Sequence, residues 1–470
     1  MRDVVIIGGG ISGLAAAYRL HKLAPDLFIT LVEREAQVGG KLMTEVADGF
    51  VIEQAPDSFL ARKPRGVGLC EELGIAAELY GRDPHHADKT AVSFDGALYP
   101  LPSGLSGMIP TDLDALANNP LISPAGQARL AQESKLPAAP LEGDETVANF
   151  VARRLGREVY DKLVEPLMSG IYAGDGDQLS LAATFPQLRQ LELKHGSLLK
   201  GLTAAPTPAS SNPGSKAPPY PPFVSLPGGM GTLVHTVVEQ LEDVQLLTSV
   251  SATYLRRNQS RPGYMVALAN GEVVMAKTLI LATPAFVTAD LLVDLDPALA
   301  KAHACIPYAS SAIVTLAYHH ADLDRVPEGY GYVVPRIANS DILACTFSSN
   351  KWHGRAPEDT LLLRVYIGRY GRRDVTRCTD EELLAMARQE IRTTLKIRTE
   401  PLLTRIYRWP LSMPQYMLGH TDLLAEIAAR LPHLPGLFLA GAAYRGVGIP
   451  DCIREGENAA QAAADYLKIG

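Results

Sequence analysis

A chain of 470 residues, 47% hydrophobic and 20% charged, is long enough to bury two or three cores and is ordinary in composition for a globular protein. Its formal charge of −7 and pI near 5.9 give no reason to expect the clustered basic surface that a nucleic-acid partner requires, and none is expected. Five scattered cysteines (Cys70, Cys305, Cys345, Cys378 and Cys452), none in CxxC spacing, offer neither a disulfide framework nor a zinc site and predict a reducing cytoplasm.

The chain opens with a short apolar run, Val4 to Ile7, that enters a glycine turn, Gly8 to Gly13. A helical pattern (Leu14 to Leu23) and a second strand pattern (Phe28 to Val32) follow, so the segment predicts a βαβ unit and a parallel sheet. No small-residue cleavage site follows the first apolar run, which predicts that the chain is not secreted. Gly8, Gly10 and Gly13 spell GxGxxG between strand and helix, and Glu33 stands about 20 residues on, at the end of the next strand. In that setting Gly8 permits the tight turn, Gly10 lets the backbone approach a pyrophosphate, and Gly13 allows close helix–sheet packing. The helix start supplies unpaired N–H groups and positive dipole, and Glu33 is placed to accept from an adenosine ribose while disfavouring a 2′-phosphate. NAD and FAD both satisfy this fingerprint.

Between residues 66 and 200 helical spacing dominates, with Val147, Phe150, Val151 and Leu155 recurring every three or four positions and a second helical run over Glu158 to Leu167. Thr203 to Pro222 is rich in proline, serine and alanine and reads as a surface loop. A second glycine turn, Leu226 to Leu233, precedes another helix, and Lys277 to Ala282 reads as a strand. From Ser311 to Ile406, runs such as Ile313 to Ala317 and Leu361 to Ile367 predict a second sheet. The chain closes with a strand (Leu437 to Ala440), a glycine-rich turn and a helix from about Pro450 to Leu467, whose Ile453, Gly456, Ala460, Ala463 and Leu467 form a small apolar face. No apolar run reaches the roughly 18 to 20 residues that span a bilayer. No metal site is expected: His85-His86 and His319-His320 diverge as neighbours, and HExxH is absent.

The residues around the glycine turn extend the pattern. Glu33-Arg34, Val38-Gly39-Gly40-Lys41, Gly49-Phe50, Glu53 and Ala55-Pro56-Asp57-Ser58 resemble the extended FAD motif of the flavin amine-oxidase superfamily, and Leu439 to Ala442 with Gly446 to Ile449 resembles its closing segment. Within that superfamily, Pro56 to Lys63, Leu163 to Asp175 with Leu179-Ser180, Leu226 to Leu233, Met413-Pro-Gln-Tyr416 with Gly419-His420, and Gly446 to Cys452 resemble the protoporphyrinogen/coproporphyrinogen oxidases of haem synthesis. One departure is Gln54-Ala55, where that family usually has a glycine before the proline.

The resemblance implies an α/β fold. A doubly wound, Rossmann-like FAD-binding domain (1–62, 226–300 and 434–470) would carry a β-rich substrate domain (63–94 and 301–433), a helical insertion (95–202) and a flexible loop (203–222). It implies FAD as cofactor, bound by Gly8, Gly9, Gly10, Ile11, Ser12, Gly13, Glu33, Arg34, Lys41, Ala55, Pro56, Asp57, Ser58, Val250, Trp409, Val447, Gly448 and Ile449. The substrate it implies is a porphyrinogen, oxidised by six electrons with molecular oxygen as acceptor and hydrogen peroxide as product. A disc with carboxylates at its rim calls for apolar walls and a few cations, for which Arg62, Lys63, Arg364 and Tyr366, and the small residues Gly170, Ala173 and Gly174, are the candidates. No general acid or base is assigned, because the pyrrole nitrogens release their own protons. The terminal helix would point its N-terminus at the flavin. A homodimer and a peripheral membrane contact through Leu98 to Ile109 stay open. So do two rivals, an amine oxidase or carotenoid-type desaturase on the same fold, and a non-enzymatic binding protein stabilised by FAD.

Overall fold

The computed structural model describes residues 2–469 apart from 88, 118, 139–142, 205–219 and 259–260, so the core of the expected 203–222 loop lies outside the described residues. Strand Arg2–Ile7 sits at the centre of a parallel sheet, between Ile29–Val32 and Val273–Leu281. Gln245–Leu247 pairs beyond Ile29–Val32, and Leu437–Leu439 pairs with the C-terminal end of Val273–Leu281. In chain order the five parallel strands run 3-2-1-4-5, the doubly wound arrangement in which ligands bind beyond the carboxyl ends of the strands. Val4, Val5 and Ile6 are fully buried, Val4 and Ile6 under the helices of one face and Val5 under strand residues Leu255, Tyr264 and Val266 with Leu291 and Leu292 on the other.

Two helices cover the site-facing end of this sheet. Helix Ile11–Leu23 leaves the first strand through the glycine turn, and the terminal helix Ile449–Ile469 packs across it. The close crossing depends on the small face read in the sequence: Ile453, Ala460 and Ala463 are fully buried, and a Cβ on Gly456 would lie 2.1 Å from Ser12 O.

The second sheet has seven strands, in the order Leu403–Pro414, Tyr308–His319, Thr360–Ile367, Ile342–Phe347, Gly331–Val333, Ala91–Phe94 and Ala97–Pro100. Its last strand therefore lies past residue 94, within the stretch read as helical insertion. A register shift between Ala309 and Ser311 interrupts the pairing of Tyr308–His319 with Leu403–Pro414, opposite Trp409 to Met413.

The helical region has its own core, built on Val147, Phe150, Val151, Leu155 and Leu163. The run expected over Glu158 to Leu167 reaches Tyr172 through a π-helical turn at Tyr160–Val164 and stops where Ala173 turns left-handed at φ +50°. The Leu98 to Ile109 stretch is short strands, with Met108 and Ile109 buried against that core. Among the described residues no helix is long and apolar enough to cross a membrane.

Candidate active site

The glycine turn is shaped by close approach. A Cβ on Gly8, at φ +106°, would come to 2.7 Å from Ala282 O, and one on Gly13 to 1.9 Å from Gly8 O. Gly10 is different: a Cβ there would meet nothing within 4 Å, and helix Ile11–Leu23 begins behind it with no side-chain cap. An uncapped helix start facing open space is a cradle for an anion. The Glu33 carboxylate is oriented beside it, accepting from Gly9 N at 2.6 Å and Glu35 N at 2.8 Å. The second glycine pair folds over the first, with Gly39 N donating to Gly9 O at 2.7 Å. Lys41 follows, its pKa pushed down by burial and partly restored by Cys452. A half-buried ammonium two residues after Gly39, whose N–H bonds to the first glycine turn, fits a pyrophosphate. Val250 donates its N–H to Glu33 O at 3.1 Å, whereas the Arg34 side chain is 71% exposed and pairs with Glu35.

Further along, Ala55 to Ser58 is gripped by the second sheet. Lys351 Nζ donates to both Asp57 oxygens at 2.9 Å, Ser58 Oγ donates at 2.8 Å, and Arg364 stands 3.6 Å away. Burial alone would raise the Asp57 pKa, but Lys351 and Arg364 outweigh it and hold the carboxyl below the usual carboxylate range. Arg364, itself buried, donates to Ala55 O and lies over the Tyr366 ring at 5.2 Å. Trp409 Nε1 donates to Gln54 O at 2.7 Å. Two cations around one carboxylate leave this wall with a surplus positive charge. Next to it, buried Glu53 ties the other glycine turn in place, accepting from Met230 N at 2.8 Å and Thr44 Oγ1 at 2.7 Å, with Arg355 at 3.1 Å. Burial raises the Glu53 pKa against the pull of Arg355.

The helix that ends at Tyr172 supplies a third wall. Ala173 packs with Ala309 and Leu343 beside Tyr366 and Met413, while Gly170 is exposed, with open space where its Cβ would be. Gly174 is small for a packing reason: a Cβ would lie 2.6 Å from Gln415 Oε1. Arg62 is exposed on the surface. Lys63 pairs with Asp451, a buried acid in the first turn of the terminal helix, beside Gly448.

The chain thus brings Gly8 to Gly13, Glu33 and Val250 together at one end. Ala55 to Ser58, Trp409, Arg364, Tyr366 and Ala173 meet along the second sheet. The reading of the sequence did not include Lys351, Arg355 or Gln415 in the site; Lys351 lies 294 residues from Asp57, and no local pattern marks it. Among the described residues no group of histidine, cysteine or acidic side chains is arranged to hold a metal.

A cradle for a pyrophosphate with an oriented acid beside it, closed by a second sheet that lays charged and aromatic groups alongside, defines a two-part dinucleotide-dependent oxidoreductase. Residues 11–464 match the family described as flavin containing amine oxidoreductase, and the chain belongs to it. Its cofactor is FAD. The chain is 37% identical to a coproporphyrinogen III oxidase of Bacillus subtilis over 99% of its own length and 98% of the relative's. It is 29% identical to a chloroplastic protoporphyrinogen oxidase of Oryza sativa, covering 99% and 88% of the two chains. The solved structure of an Exiguobacterium sp. 255-15 protein assigned as a protoporphyrinogen oxidase superposes with a TM-score of 0.87 at 32% identity, over 99% of both chains.

Proposed function

We propose that this protein is a porphyrinogen oxidase of haem biosynthesis and that coproporphyrinogen III is its substrate. The observation that carries the reading is full-length similarity, at 37% identity, to a relative named for that reaction. Bound flavin supplies two-electron oxidation, so three turnovers take six electrons and six protons from the porphyrinogen and reduce three molecules of oxygen to hydrogen peroxide.

The protein's own contribution is binding and placement. Gly8 to Gly13, Glu33 and Lys41 hold the dinucleotide, and Ala55 to Ser58, Trp409 and Val447 to Ile449 border its flavin end. Arg364 with Lys351 gives the facing wall its positive charge, and Tyr366, Ala173 and the open flank of Gly170 form the surface against which the macrocycle lies. Arg62 is free to address a carboxylate at the rim. A peripheral membrane contact is supported by Leu98, 40% exposed, while Met108 and Ile109 face inward.

Anaerobic mixing with coproporphyrinogen III should bleach the bound flavin within a turnover. Faster bleaching by protoporphyrinogen IX would reassign the substrate. Bleaching by neither would overturn the reading.

A further inference from the structure

The stretch Met413-Pro-Gln-Tyr416, with His420 at the start of the helix four residues on, joins two turns that come from distant parts of the chain. Tyr416 is fully buried. Its hydroxyl donates to Ala442 O at 2.6 Å and accepts from Gly446 N at 2.8 Å. Gly446, at φ +134°, belongs to an irregular turn that runs from the last strand to the terminal helix; Arg445 ties its outer side, pairing with Glu455 and accepting from Arg454 at 3.1 Å, and Tyr416 holds its inner side. The Tyr416 ring stacks on His420 with centroids 4.3 Å apart, and His420 Nε2 lies 3.2 Å from Tyr444 O in the same turn. Burial keeps the phenol pKa well above its ordinary value and the histidine pKa below its own, so the hydroxyl remains a donor and the imidazole stays neutral. Gln415, the preceding residue, sends its amide to the helix end at Tyr172, whose ring also meets the Tyr416 ring edge-on with centroids 5.9 Å apart. Gln415 Nε2 donates to Tyr172 O at 2.8 Å and Met413 O at 3.0 Å, and its Oε1 closes on Gly174.

We propose that Tyr416 is a positioning residue for the flavin: its hydroxyl fixes the Ala442–Gly446 turn, and with it Val447 to Ile449, in register with the Gly170–Gly174 wall that Gln415 holds. The two neighbours divide the work, one toward the cofactor and one toward the substrate. The cofactor half of the inference rests on Val447 to Ile449 bordering the flavin, and its substrate half on the chain being a porphyrinogen oxidase.

Tyr416→Phe keeps the buried ring and its stack on His420 and removes only the bridge. In the holoenzyme this should release FAD about tenfold faster on dilution, followed by flavin fluorescence, the scale of one hydrogen bond lost with its partners left buried. The visible flavin bands should lose resolution, and anaerobic reduction at saturating porphyrinogen should slow about tenfold with KM unchanged. Gln415→Leu should show the reverse split, with KM raised and FAD release as in the parent. A Tyr416→Phe enzyme with parental FAD release, bands and reduction rate, even if less thermostable, overturns the inference. If the parent itself is not reduced by any porphyrinogen while Tyr416→Phe still sheds FAD faster, the functional reading fails and the positioning role stands.

Discussion

The two ends of the site are built by different physics. At the end we propose for the pyrophosphate the groups that matter are backbone N–H groups and missing side chains, and the residues that supply them, Gly8 to Gly13 and Glu33, lie within one short stretch of chain. At the end we propose for the flavin and substrate the groups are buried and half-buried charges, and Asp57 meets Lys351 and Arg364 from a segment 294 or more residues away, joined only by the fold. The first end is geometry that glycine permits. The second is charge balance that tertiary structure must assemble, and the two should respond differently to mutation.

The sharpest break is within the glycine turn. Gly13→Ala places a Cβ 1.9 Å from Gly8 O, an overlap with backbone that no rotamer relieves, so no folded, FAD-loaded protein is expected. Gly10→Ala puts the same methyl into open space. Its apoprotein should unfold within about 1 kcal/mol of the parent, yet bind FAD at least tenfold more weakly, because the methyl occupies the cradle. Thermal unfolding of the apoproteins beside FAD titration separates the two. If Gly10→Ala binds FAD normally, the pyrophosphate does not lie there.

At the other end Asp57→Asn leaves buried Arg364 and half-buried Lys351 without their acid, which costs about 3 kcal/mol of stability. The sign with pH follows from the depressed Asp57 pKa. The carboxylate's contribution is complete above the unfolded carboxyl's ordinary pKa and is lost as pH falls toward the folded value. The parent should therefore lose stability on acidification while Asp57→Asn, already without that contribution, shows a shallower fall. Denaturant unfolding from neutral pH down to about pH 3 reads the difference. Parallel acid limbs would mean that Asp57 is not the group that titrates.

Legibility in the sequence divides along the same line. The first sheet and its helices follow from short apolar runs, the glycine turn and the small face of the terminal helix, because each signal is local. The second sheet was legible as strands but not as a wall: nothing near Lys351 or Arg355 says that they face Asp57 and Glu53. The strand at Ala97–Pro100 lies in a stretch read as helical although its signal is local: it pairs with Ala91–Phe94 across the two-residue Asp95-Gly96 turn, both residues at positive φ, a hairpin cue overshadowed by the helical spacing further along. Gly174 reads in the sequence as small for a ligand, yet Gln415 is what limits it, a packing cause visible only in three dimensions.

The terminal helix tests whether the two kinds of physics meet. Its sequence suggests a positive N-terminus aimed at the flavin, which would favour the negatively charged reduced form. Asp451, buried in that first turn and paired with Lys63, works against it by placing a carboxylate at the positive end. Removing that charge should restore the field of the helix and leave the Lys63 cation unneutralised beside Gly448. A charge at a helix terminus is worth about 0.3 to 1 kcal/mol, which corresponds to about a two- to fivefold change in rate. Asp451→Asn, which keeps the shape of the side chain, should therefore speed anaerobic flavin reduction by that factor and move the flavin's midpoint potential upward. A slower reduction with FAD fully bound would mean that the Lys63–Asp451 pair holds the turn in place, and that geometry rather than charge governs this end of the site too.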